Sequence, residues 1–169
     1  MLLLSGCLVD PKISEFRGMD CEEVVNRIET YEDARWYLGN YLRESDDFKK
    51  EQFGFCQVHE LRKGDCSEYS VAAAALLGDD YYPSGFLTMS GGMAKDKHVV
   101  FVYKDNEIFK TLGITSRDVN GVYGSLEEIA QKYNVETGYT RFSLYEIGNI
   151  MNNHFVDFEE EYKSWSMNF

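Results

Sequence analysis

From Val71 to Leu77 every side chain is apolar and four are alanine, whereas the residues just ahead, GDCSEYS at 64–70, are small or polar. That boundary predicts a buried helix, with Asp65 as N-cap, Glu68 completing a capping box three residues later and Gly78 as the stop. Cys66 then falls in the first turn. Asp20 with Glu23 predicts a helix to about Glu29. Thr30 with Asp33 predicts another to about Arg43, with Ala34, Tyr37, Leu38 and Tyr41 on one side. Residues 1–19 read as an irregular segment and 45–52, SDDFKKEQ, as a charged, solvated loop.

The pattern then changes to β-formers. FLTM at 86–89 and HVVFVY at 98–103 read as strands, joined by SGGMAKDK, in which Gly91 and Gly92 would let the chain before His98 move over a cleft. With Asp105 and Asn106 as a two-residue turn, HVVFVYK and EIFKTLG make a hairpin in which Lys104 faces Glu107. SLEE at 125–128 opens a short helix to about Tyr133, and 144–152 reads as one more. The tail DFEEEYKSWSMNF reads as a last strand or edge segment. Helices followed by antiparallel strands predict an α+β fold, one domain over 20–169.

Composition narrows the function. The chain has 169 residues, a net charge of −12, 12 Tyr and 11 Phe. A folded core is expected, and a general nucleic-acid binder is not, because phosphates need Lys and Arg to neutralise them. Adhesion to an anionic membrane through a basic face is disfavoured equally, and no apolar run approaches a membrane span, which leaves a lipid anchor as the membrane route. No phosphate-binding glycine loop follows a strand. The spacing of Cys56, His59 and Cys66, with His98 or His154, matches no paired metal-ligand pattern, so neither metal nor cofactor is expected. Nothing in the pattern sets an oligomeric state.

The chemistry-bearing candidates are thiols and imidazoles. A thiol in the first turn of a helix meets the positive end of its dipole and unpaired N–H groups, and both favour thiolate. The plainer reading of Cys66 is a small core residue. A nucleophile needs a base. Among His59, His98 and His154, His98 begins a strand directly after a glycine-containing loop, where it is rigidly mounted and near solvent. The opening MLLLSGC resembles the end of a lipoprotein signal, with Cys7 as the lipidated residue, provided that charged and apolar regions lie upstream of Met1; otherwise the match is chance. If Cys7 carries lipid and Cys66 is the nucleophile, Cys21 and Cys56 remain as a disulfide pair in an oxidising compartment. The alternative is four reduced cysteines in the cytoplasm.

GDCSEYSVAAAALL followed by KHVVFVYKDNEIF resembles the core of the transglutaminase-like superfamily, over roughly residues 53–135. The resemblance implies a papain-like α+β fold, with N-terminal helices and a Cys-bearing helix packed on an antiparallel sheet, and a Cys-His-Asp or Cys-His-Asn triad. It implies peptide hydrolysis, deamidation or amide transfer on a protein or peptide substrate, through a thioester. Cys66 takes the nucleophile's position and His98 that of the base. The third member does not transfer. The hairpin counted outward puts Gly113 opposite His98, with Thr111 and Thr115 diagonal to it, and leaves Asp118 or Asn120 to fold back. The Cys66 N–H is one oxyanion donor, and Gln57 is a candidate for a second. Net acidity biases such a cleft toward basic side chains or amines. The alternative is a non-catalytic binding or structural module of the same fold, tethered through Cys7. The compartment is cytoplasmic in one case and extracytoplasmic in the other.

Overall fold

The computed structural model describes residues 11–45, 53–77, 84–94, 96–114, 121–145 and 165–169. Among these, helices come first: α1 (Pro11–Arg17), α2 (Cys21–Arg27), α3 (Tyr31–Asn40), α4 (Phe55–Leu61) and α5 (Cys66–Leu77). Strands β1 (Arg43–Glu44) and β2 (Lys63–Gly64) pair in parallel and tie the exits of α3 and α4 together. An antiparallel sheet follows, of β3 (Ser84–Ser90), β4 (His98–Asp105), β5 (Ile108–Leu112), β6 (Val122–Tyr123), β7 (Arg141–Tyr145) and β8 (Ser166–Asn168), in the order β6-β5-β4-β3-β7-β8. Helix α6 (Leu126–Thr137) connects β6 to β7. The fold is α+β.

The caps explain the helix starts. Asp20 accepts hydrogen bonds from the N–H groups of Glu22 and Glu23, and Glu23 accepts from the Asp20 N–H at 2.8 Å. Thr30 and Ser125 cap α3 and α6 more simply, each accepting one N–H, from Asp33 and Glu128 respectively. Two helices differ from the sequence reading. Residues 11–17 form α1 rather than an irregular opening; Pro11 stands at the first helical position, where its missing N–H costs nothing, and Phe16 packs against Trp36 and Tyr37. Helix α4 starts at Gly54, which has no side chain to cap it, and is held by the burial of Phe55, Val58 and His59.

One sheet separates two cores. The period-two alternation of β4 sends Val99, Phe101 and Tyr103 toward α5 and the N-terminal helices, while Val100 and Val102 join Leu87, Met89, Phe142 and Leu144 beneath α6. On α5, Ala72 and Ala73 are fully buried, and such small side chains let a helix lie close to a sheet.

The later elements bring further corrections. Leu144 and Tyr145, read as the start of a helix, close β7, because Phe142 and Leu144 point inward while Arg141 and Ser143 stay exposed; residues 146–152 lie outside the described residues. Helix α6 runs to Thr137 instead of Tyr133 and ends where Gly138 takes φ 81°. The tail supplies edge strand β8, paired with β7. In the hairpin, Asp105 pairs with Ile108 and Lys104 with Phe109, so the turn is Asn106–Glu107, one residue later than expected. Asn106 accepts the left-handed turn conformation (φ 56°), and Asp105 instead closes the strand pair through a 2.8 Å ion pair with Lys110.

Candidate active site

Cys66 opens α5 half-buried, and its thiol is free. The residues around it form a tightly fitted helix start. Asp65 Oδ1 accepts the Ser67 N–H (2.8 Å) and hydroxyl (2.6 Å), while the Glu68 carboxyl accepts the Asp65 N–H at 3.0 Å. Glu68 is 1 % exposed. Burial, followed by the hydrogen bond shared with Asp65, pushes the Glu68 carboxyl up to about 7. Burial also raises Asp65, but hydrogen bonds from Glu68 and Ser67 outweigh it and hold Asp65 below its ordinary value. A Cβ on Gly64 would lie 2.5 Å from Glu68 Cβ, so glycine is what lets β2 pass the helix. One turn further, Ser70 Oγ lies 2.8 Å from the Cys66 carbonyl and 3.1 Å from that of Val99, its single proton shared between them, which fixes α5 against β4. The glycine, the aspartate and the acidic residue two after the cysteine thus have structural work of their own.

Cys66 and His98 both line a cavity of about 540 Å³ at the N-terminal end of α5. Its floor is the α5 face of three adjacent strands. Thr88 lies between Val99 and Ser143, and Ser90 pairs with Arg141; Lys97, just before β4, completes the lining on the other side. His98 has the opposite parity. It pairs with Met89, its Cβ leaves β4 on the α6 side, and its ring stacks on Tyr139 (centroids 6.1 Å apart, planes at 8°) and tilts against Tyr133 at 6.4 Å. Among the described residues no hydrogen bond joins the Cys66 thiol to the His98 ring.

The remaining candidates are placed as follows. Thr111 is buried opposite Val102 in β5 rather than diagonal to His98, because the turn sits one residue later than expected and every partner sum rises by two. Its hydroxyl hydrogen-bonds Tyr123, and its carbonyl accepts the Tyr31 hydroxyl at 3.1 Å. Gln57 is exposed on α4 and is not part of the cavity lining, so it supplies no oxyanion donor in this arrangement. Thr115, Asp118, Asn120, Cys7 and His154 lie outside the described residues. Cys21 of α2 and Cys56 of α4 are joined in a disulfide, Cα to Cα 5.0 Å. His59 belongs to the core. Its Nε2 lies 2.9 Å from the Met19 carbonyl and its Nδ1 2.6 Å from the Tyr37 hydroxyl. Nε2–H therefore donates to the carbonyl and Nδ1 accepts from Tyr37. Among the described residues no group of three His, Cys, Asp or Glu side chains is placed to hold a metal ion, and no helix is long and apolar enough to cross a membrane.

The sequence reading did not find Lys97, Arg141 or the hydroxyl floor. The signal was the alternation in RFSLY at 141–145, which marks a strand with Arg141 and Ser143 on one face. Nor do Gly91 and Gly92 act as expected. Both have left-handed φ (77° and 70°), and a Cβ on Gly92 would lie 2.1 Å from the Gly138 carbonyl oxygen, so close packing against the start of β7 accounts for them. Comparison of the chain with protein-family models finds no match, and comparison with curated proteins finds none either.

Proposed function

We propose that the chain is a transglutaminase-like cysteine hydrolase or acyl transferase acting on protein or peptide amides. The observation that supports this best is that Cys66, in the first turn of a buried helix, and His98, the first residue of the strand on which that helix packs, line the same cavity. In this reading Cys66 Sγ attacks the amide carbon and its proton passes to the His98 ring. Collapse of the tetrahedral adduct breaks the C–N bond, and the leaving amine takes the proton back from the imidazolium. Water or a second amine then attacks the thioester, with His98 as base, and restores the thiol. The Cys66 N–H, which lies between the capped N–H groups of Asp65 and Ser67 at the start of α5, faces the developing oxyanion. Because the His98 Cβ leaves β4 on the α6 side, the step requires the start of β4 itself to shift when substrate binds, so that the imidazole comes round to Cys66.

A second reading, a non-catalytic binding module of the same fold, is favoured by the stacking of His98 on Tyr139 on the sheet face away from α5. A peptidyl acyloxymethyl ketone probe separates the two. The enzyme reading expects covalent labelling that is lost in Cys66→Ala and slowed about a hundredfold in His98→Gln, with thermal melts showing both variants folded. Labelling of His98→Gln at the wild-type rate would favour the module.

A further inference from the structure

The chain carries 29 acidic residues against 17 basic ones, yet the two charged side chains on the strand side of the cavity, Lys97 and Arg141, are both cationic. They sit at the ends of one row across the sheet floor, with Ser90 between them: Ser90 pairs with Arg141 on β7, and Lys97 directly precedes His98, whose partner Met89 directly precedes Ser90. Neither cation has an ion pair among the described residues. The one carboxylate in the lining, Asp65, is engaged by the Ser67 N–H and hydroxyl. Arg141 lies along the turn after β3. A Cβ on Gly91 would lie 2.9 Å from its Nε, so the guanidinium lies over the bare backbone of the turn that follows β3.

We propose that this row binds a carboxylate of the peptide substrate, so that the site selects acyl donors with an acidic group next to the attacked carbonyl. The proposal rests on the acyl-transfer reading for what is done to the peptide, but not for the binding itself. It reverses the preference for basic groups expected from net charge, because a fork of guanidinium donors, an ammonium and a hydroxyl around one small floor outweighs a diffuse field that solvent and salt screen. Arg141 offers a paired, directional contact to the two carboxylate oxygens and Lys97 a point charge on the opposite side. Ser90 supplies a hydroxyl between them.

The test separates binding from chemistry by using Cys66→Ala, which cannot form the thioester. Fluorescent hexapeptides, identical except at one central position, are titrated against it: Glu, Gln and Lys peptides amidated at the C-terminus, and the Gln peptide with a free C-terminal carboxylate. The Glu peptide is expected to bind about tenfold more tightly than the Gln peptide, and the Lys peptide more weakly still. If the free-carboxylate Gln peptide gains more than the Glu peptide, the recognised group is the chain terminus; either gain supports the proposal. Lys97→Ala/Arg141→Ala, added to Cys66→Ala, should level the series. Equal binding of all four peptides, or an acidic preference that survives the double substitution, overturns the proposal. In parallel, the ketone probe on the wild-type chain reports acylation alone: acidic selectivity without labelling would remove the enzyme and leave the binding site, and labelling without selectivity the reverse.

Discussion

The bundle of α1 to α4 and the cavity floor beneath the start of α5 both gather polar groups, and they dispose of them differently. In the bundle the histidine and both cysteines end on other parts of the chain: His59 is fixed at both nitrogens, its ring is stacked against Tyr41 at 5.2 Å, and a disulfide joins α2 to α4. Around the cavity, among the described residues, the Cys66 thiol, Lys97 and Arg141 point toward open space with no ion pair or hydrogen bond of their own. Polar atoms satisfied internally hold a framework together. Those left facing a cavity are available to a second molecule. Each region contains a histidine, and only its neighbours tell the two uses apart.

The largest effect should come from the framework. Replacing Cys21 and Cys56 with serine opens a loop spanning 35 residues and should cost about 4 kcal/mol in urea unfolding, while probe labelling of Cys66 in the remaining native protein persists. A loss below about 1 kcal/mol would erase the contrast.

Glu68 stands between the two regions, and its titration has a definite sign. Its folded pKa, about 7, lies above the ordinary 4.5, so its contribution to stability is complete below about pH 4.5 and declines as pH rises to about 7. Asp65 is shifted the other way, so its contribution is present above its ordinary value and is lost only as the solution becomes more acidic. Unfolding measured at pH 5 and pH 8 should differ by about 1–3 kcal/mol in favour of pH 5, and Glu68→Gln should flatten the slope. An unchanged slope in that variant would assign the dependence to other groups.

Gly64→Ala tests the fit at the helix start, since the added Cβ meets Glu68 Cβ at 2.5 Å. About 2 kcal/mol is expected, together with slower labelling of Cys66 as α5 shifts. Tyr37→Phe should cost about 1 kcal/mol by leaving His59 Nδ1 without its donor, and it should not alter the rate at which the thiol is labelled. A change in that rate would join the two regions that the comparison separates.

Much of the fold was legible because caps are local. Asp20, Thr30, Asp65 and Ser125 announce α2, α3, α5 and α6, each needing only its own following turn. Helix α4 escaped because Gly54 leaves no capping side chain to see. The hairpin register depends on a backbone torsion at Asn106, not on composition, and the two-residue offset that follows moves Thr111 from the vicinity of His98 to that of Val102. Cys66 and His98 were visible as residue types in a suggestive order. Which side of the sheet His98 takes was written in the alternation of β4, with Val99, Phe101 and Tyr103 already spoken for by the larger core. Lys97 and Arg141 are 44 residues apart and meet only because β3 lies between β4 and β7, an ordering of strands that no local pattern encodes.

Helix α5 is clad in protein along almost its whole length and pinned to β4 by the Ser70 hydroxyl. The backbone that carries its one sulfur atom is therefore held like a fixed mount, so the thiol can reach a reactant only by turning about its own short side chain. Discrimination among reagents should follow their shape and angle of entry, and heating that leaves the native state intact should do little to broaden the range accepted.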